Sequence, residues 1–149
     1  MGKFVISQAK NGVKFNLKAA NGEVIASSQV YKDEKYCRKG IASVINNAPV
    51  APIEDQTAEG FTPCKHPKFE VYKDKAGEFR FRLKATNGQI IATGEGYKAM
   101  AGCKRGIESI KKNVGRLQVQ VEQNLSSNYI SGIHLIKKSV EQFIRSVVA

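Results

Sequence analysis

Residues Leu17–Asn47 and Leu83–Asn113 are two versions of one sequence, with 14 of 31 aligned positions identical against about two by chance. The identities include Asn21-Gly22 with Asn87-Gly88, Tyr31 with Tyr97, Cys37 with Cys103 and Gly40-Ile41 with Gly106-Ile107. Upstream the copies differ by one residue, in Gln8–Gly12 against Lys73–Gly77. Both segments have hairpin-turn composition, where an insertion is cheap. The units are 3–47 and 68–113, joined by a proline-rich linker, 48–67, and followed by an extension, 114–149. Each unit alone is near the lower size limit for independent folding, so the two are expected to share one core.

The second copy reads most clearly. Phe69 and Val71 alternate with polar neighbours and predict a first strand. Asp74-Lys75-Ala76-Gly77 supplies a turn. Phe79, Phe81 and Leu83 alternate with Arg80, Arg82 and Lys84, predicting a strand with one apolar and one basic face. Pairing like faces sets Phe69 opposite Phe81, Val71 opposite Phe79 and Glu70 opposite Arg80. Asn87-Gly88 then turns the chain into a third strand near Gln89–Thr93. From Lys98 the period changes. Met100, Cys103, Ile107 and Ile110 form the stripe of an amphipathic helix, with Lys104, Arg105, Glu108, Lys111 and Lys112 opposite. The first copy repeats the stripe with Cys37, Ile41 and Val44. A glycine three residues after each cysteine (Gly40, Gly106) weakens a helix and suggests close approach to the sheet. The fold class expected is α+β: two β-β-β-α repeats forming one antiparallel sheet with both helices on one face.

The linker contains all four prolines and reads as an extended crossing. In the extension, Leu117, Val119 and Val121 alternate as in a short strand. Ser126-Ser127-Asn128 would cap a helix whose stripe is Ile133, Ile136, Val140, Phe143 or Ile144, and Val147. That helix is expected to pack on its own domain or on a twin subunit. With only Lys137, Lys138 and Arg145 basic, membrane-surface docking is the lesser reading.

The pattern of Phe69-Glu70-Val71-Tyr72, Gly77–Ala85, Asn87-Gly88, Gly96-Tyr97 and Gly106–Ser109 resembles the YegP-like family of small bacterial proteins, whose modules often occur in tandem. The first copy matches through Leu17–Gly22 and Lys39–Val44. The resemblance implies an antiparallel sheet with helices on one side. The family brings no known activity, cofactor or catalytic residue, so no site residue is carried over. The extension after Val114 departs from its pattern.

Net charge is +11, and the repeats carry it: +5 in the first, +6 in the second, −2 in the linker and +2 in the extension. Such a balance favours polyanionic partners or simply solubility. The candidate binding residues are the basic sheet face, Lys14, Lys18, Arg80, Arg82 and Lys84, with Tyr72 as an exposed ring. The strand phenylalanines face the core by alternation, so nucleic-acid contact through this face would be electrostatic and weakly selective. A solvated face with cross-strand ion pairs is the competing account. No catalytic residue is assigned. Cys37 and Cys103 lie on apolar helix stripes, which suits buried thiols better than nucleophiles. Cys64-Lys65-His66 offers too few ligands for a structural zinc, so neither metal nor cofactor is expected. No phosphate-cradling glycine loop is present.

The odd cysteine count, the lack of an apolar leader and the lack of any membrane-length apolar run lead to an expected cytoplasmic protein without a membrane span. The function expected is a non-enzymatic structural or protein-binding module, able to self-associate as a homo-oligomer. Weakly selective nucleic-acid binding is the alternative.

Overall fold

The computed structural model describes residues 2–114 and the backbone of 118–121. The predicted tail helix and its cap lie outside the described residues. The first copy forms β1 (Lys3–Ala9), β2 (Gly12–Lys18), β3 (Val24–Ser27) and α1 (Glu34–Asn47). Then come a 3-10 turn at Ala48–Val50 and β4 (Ile53–Asp55). The second copy forms β5 (Lys68–Lys73), β6 (Phe79–Lys84), β7 (Ile90–Thr93), α2 (Met100–Val114) and β8 (Gln118–Val121).

Local chemistry sets these boundaries. Asn11 turns β1 into β2 at φ 67, and Gly22 and Gly88 turn the next hairpins at φ 86 and 84. Asp33 caps α1 by accepting the Tyr36 N–H at 3.0 Å. Along β2, Val13, Phe15 and Leu17 are buried while Lys14, Asn16 and Lys18 are half-buried, the alternation that the sequence predicts.

The sheet order is β4-β5-β6-β7-β3-β2-β1-β8. Each copy contributes an antiparallel three-stranded meander, and the meanders meet where Ser27 pairs with Thr93. These two residues are equivalent in the repeats, so the junction lies on the axis that relates the halves. The expected antiparallel six-stranded sheet is thus present, with both helices on one face, but it is extended. β4 adds in parallel to β5, and β8 adds in parallel to β1. The linker, expected to be an extended crossing, also contains a strand at Ile53–Asp55. The strand expected around Val119 is β8. Each copy therefore gives the strand after its helix to the first strand of the other copy. The helices cross over too: α1 contacts β1, β2 and β7, and α2 contacts β6 and β3.

The hairpin register differs from expectation by two residues. Phe69 pairs with Leu83, Val71 with Phe81, Glu70 with Arg82 and Tyr72 with Arg80. The loop is longer than a four-residue turn. The Asp74 carboxylate accepts the Ala76 and Glu78 N–H groups at 2.9 and 3.0 Å, and Gly77 takes φ 82. A slip of two leaves every side chain on its expected face.

One core joins both copies. Phe4, Phe15, Phe69 and Phe81 are fully buried among Ile41, Val44, Ile107 and Ile110. Phe4 and Phe15 meet edge to face at 5.5 Å, as do Phe69 and Phe81 at 6.0 Å. Tyr31 stacks on Phe15 and Tyr97 on Phe81. These tyrosines explain the helix glycines: the close approach is by a phenol, not by sheet backbone. A Cβ on Gly106 would lie 2.5 Å from the Tyr97 hydroxyl, and one on Gly40 would overlap the Tyr31 hydroxyl. In an open helix Gly→Ala gains about 1 kcal/mol. Here Gly106→Ala should instead cost about 1–3 kcal/mol through overpacking, read as a lower urea midpoint at unchanged slope.

Candidate functional site

The helix-free face of the sheet carries all six candidate binding residues, but they do not converge. Tyr72, Arg80, Arg82 and Lys84 lie on β5 and β6. Lys14 and Lys18 lie on β2, with β7 and β3 between. Register places Glu54, Glu70, Arg82, Thr93, Ser27, Asn16 and Val5 in one row across the strands. The row is ionic in its second-copy half and neutral in its first-copy half.

The ionic half is a saturated network. Lys68 Nζ lies 2.8 Å from Glu54 Oε1 and 3.3 Å from Glu70 Oε2. Arg82 Nε lies 2.5 Å from Glu70 Oε1, and Lys84 Nζ lies 3.2 Å from Glu70 Oε2. Glu54 also accepts the Cys64 N–H and the Gln56 amide, both at 2.7 Å. Relative exposure is 2% for Glu54, 3% for Glu70 and 7% for Lys68, so these charges depend on one another. Burial alone would raise the Glu70 carboxyl. Hydrogen bonds from Arg82, Lys84 and Lys68 outweigh it and hold the group at about 2. Glu54 is likewise lowered, burial being outweighed by Lys68, Gln56 and the Cys64 N–H. Its partner Lys68 is raised by the hydrogen bond to Glu54, against burial.

Arg80 pairs with Asp74 at 2.6 Å. The Arg82 guanidinium also lies 4.5 Å from the Tyr72 ring centroid, so this ring faces a cation. Tyr72, with Lys73, Phe79 and Gln56, edges a shallow cleft. Lys14 and Lys18 have no carboxylate partner among the described residues, and Val5 stands where the second copy has Glu70. Three of the four second-copy cations on this face beside Tyr72 (Arg80, Arg82, Lys84) were predicted, and the structure gives each an acidic partner. Glu54 and Lys68 escaped the sequence reading. Their signal was a lone acid in the linker and a lysine opening a strand.

The cysteines on the helix stripes are poor nucleophiles. Both are fully buried. Burial, then the nearby Glu34 charge, pushes the Cys37 thiol up to about 12. Burial, then Asp55, pushes Cys103 up to about 11. Thiolate chemistry needs the opposite shift. Among the described residues no three His, Cys, Asp or Glu side chains gather as metal ligands. No helix among them is long and apolar enough to cross a membrane.

A second place was not read from the sequence. Between α1 and the β6–β7 turn runs a groove of about 210 Å³, lined by Tyr36, Lys39 and Ser43 from one copy and Asn87, Gln89 and Ile90 from the other. Tyr36 and Ile90 are both 42% exposed, two of six large apolar side chains exposed among the described residues. The available signal was Tyr36 itself, an aromatic on the polar face of α1.

The domain of unknown function DUF1508 matches twice, over residues 9–55 and 74–120. Each match runs from the first hairpin turn through the strand after the helix, so it includes β4 or most of β8. The UPF0339 protein YegP of Yersinia pestis is 37% identical over 114 residues, covering 76% of this chain and 88% of that protein. A UPF0339 protein of Methanosarcina acetivorans is 54% identical over 54 residues, 93% of its length but 36% of this chain, and so is about one repeat long. The solution structure of YegP from E. coli, a protein of unknown function, superposes with TM-score 0.67 at 32% identity, covering 84% of this chain and 96% of that one. The chain belongs to the tandem-repeat, YegP-like branch of the DUF1508 (UPF0339) family, whose function is unknown.

Proposed function

We propose that this protein is a non-enzymatic cytoplasmic binding module that presents its helix layer, not its sheet face, to a polyanionic partner. The observation that carries this reading is where ion pairing leaves positive charge. On the sheet face, Lys68, Arg80, Arg82 and Lys84 each hold a carboxylate, which leaves only the half-buried Lys14 and Lys18 of the candidate cations unpaired. On the helix layer Arg38 pairs with Glu34. Lys32, Lys35, Lys39, Lys98, Lys104, Arg105 and Lys112 are exposed and have no ion-pair partner among the described residues. Cations already neutralised at short range add little to long-range attraction, whereas unpaired exposed ones attract a polyanion and release its counterions. The buried, raised thiols support a binding role over nucleophilic catalysis.

The test is a salt titration of heparin, poly-glutamate and duplex DNA binding by fluorescence anisotropy. Wild type should bind at 50 mM salt and weaken steeply by 200 mM. Lys35→Gln with Lys104→Gln and Lys112→Gln should flatten the salt slope. Arg80→Gln, whose charge is already paired, should change it little. Loss with Arg80→Gln but not with the helix variant would return the interface to the sheet face and defeat the proposal.

A further inference from the structure

The duplication supplies an internal control for the α1 groove. Its floor is Tyr31 over Gly40, and the twin position has Tyr97 over Gly106. Ser43, Lys39, Asn87 and Ile90 correspond to Ser109, Arg105, Asn21 and Val24, so the frame is shared. Most differences run one way, the exceptions being Asp33 and Glu34 where the twin has Ala99 and Met100. Tyr36 stands where the twin has Gly102, and Lys35 where it has Ala101. Gln29 and Gln89 stand where the twin has Glu95 and Glu23. The α1 groove thus has an aromatic ring, an added cation nearby and amides in place of carboxylates. Each of these changes favours an anion.

The charge around it is net positive, with Lys32, Lys35, Arg38 and Lys39 against Asp33 and Glu34. Lys32, Lys35 and Lys39 are exposed. The acids alongside are engaged, Asp33 at the helix N-terminus and Glu34 with Arg38. Lys32 Nζ lies 4.5 Å and Lys39 Nζ 5.4 Å from the Tyr36 ring centroid. These ammonium groups lie over the ring, so a planar group stacking on it displaces at least one of them, and the flexible lysine stems let the displaced group follow the attached phosphates. Gln29, Asn87 and Gln89 are exposed amides; Asn87 Oδ1 accepts the Gln89 N–H at 3.0 Å and Gln29 hydrogen-bonds Tyr31, and the remaining donors and acceptors suit the edge of a base. Ring, cations and amides together match single-stranded nucleic acid, which is held by stacking, phosphate contacts and edge hydrogen bonds. An acidic peptide such as poly-glutamate would use the lysines and the amides but has no planar ring to stack on Tyr36.

We propose that the α1 groove binds one or two nucleotides of a single-stranded nucleic acid, stacking a base on Tyr36 with the phosphates on Lys32 and Lys39. This rests on the polyanion-binding reading and names its partner and place. The test uses the full chain with labelled oligo-dT and oligo-U, duplex DNA and poly-glutamate as probes at 50 and 200 mM salt. Tyr36→Ala should weaken oligo-U and oligo-dT roughly tenfold and leave poly-glutamate unchanged, while Tyr36→Phe should keep wild-type affinity. Gln89→Glu, which installs the twin's carboxylate, should weaken the oligonucleotides as well. Tyr36 is exposed, so folding of its variants is expected and is checked by circular dichroism. If the probes bind with a salt slope but Tyr36→Ala changes none of them, the groove assignment falls and the broader reading stands. If poly-glutamate loses as much as the oligonucleotides, the occupant is an acidic peptide and the proposal is overturned. If no probe binds at low salt, both fall.

Discussion

Glu70→Ala should cost about 3–5 kcal/mol of stability, because it strips Arg82 and Lys84 of their carboxylate and leaves the buried Lys68 with Glu54 alone. The magnitude follows from burial more than from attraction: this carboxylate is 3% exposed and touches all three cations. Glu70→Gln should also destabilise, and it should remove a pH dependence. The Glu70 carboxyl is held at about 2, below its ordinary 4.5, and Glu54 is lowered too. A carboxyl depressed by folding stabilises above its unfolded pKa and loses that contribution as pH falls through the folded one. Stability is therefore expected to be flat above about pH 5.5 and to decline toward pH 2. The drop between pH 6 and pH 3 should be larger in wild type than in Glu70→Gln by up to about 2 kcal/mol, the full linkage for a shift from 4.5 to about 2, less what water at the rim of the network screens. Urea titrations at the two pH values measure it. Equal drops would show that Glu70 is not depressed.

Phe81→Ala should cost a similar 3–5 kcal/mol, as should Phe15→Ala, its counterpart in the first copy. Phe81 is fully buried, lies edge to face with Phe69, is stacked by Tyr97 and lies directly under Gly94. Truncation would open a cavity walled by strands and helix, with little able to relax into it. The pattern of loss carries as much weight as its size. The inner faces of both copies form one core, and α1 and α2 each reach across to a strand of the other copy. Either substitution should therefore lower one common unfolding transition. Two separated transitions, with one copy unaffected, would count against a shared core.

The sequence carried the parts of this fold that local chemistry decides. Alternation at Phe79–Lys84 and the stripe from Met100 to Ile110 gave strand and helix with the correct faces. Register was lost because Asp74 folds its own loop, closing on the Ala76 and Glu78 N–H groups, and the four residues around Gly77 do not advertise that extra length. β4 escaped because three residues beside prolines show no alternation and their partner strand begins thirteen positions further on, after a loop. The basic ladder is legible in the sequence as charge and as a face with cross-strand ion pairs, but not with the right partners. Arg82 finds Glu70 only in the observed register, and Lys68 finds Glu54 only once β4 joins the sheet. The α1 groove was invisible for a related reason: Tyr36 and Gln89 belong to different copies and meet because α1 crosses to β7.

Exchange of the post-helix strands is the feature on which the rest depends, and a cut in the linker tests it. Gly60 lies in an exposed turn with open space where a Cβ would point, so a specific protease site inserted after it leaves β4 with the first half and β5 with the second. The account predicts that the cleaved halves stay together on size exclusion, elute at the position of the uncut chain and unfold in one transition. Halves that separate on the column, each retaining its folded spectrum, would contradict it.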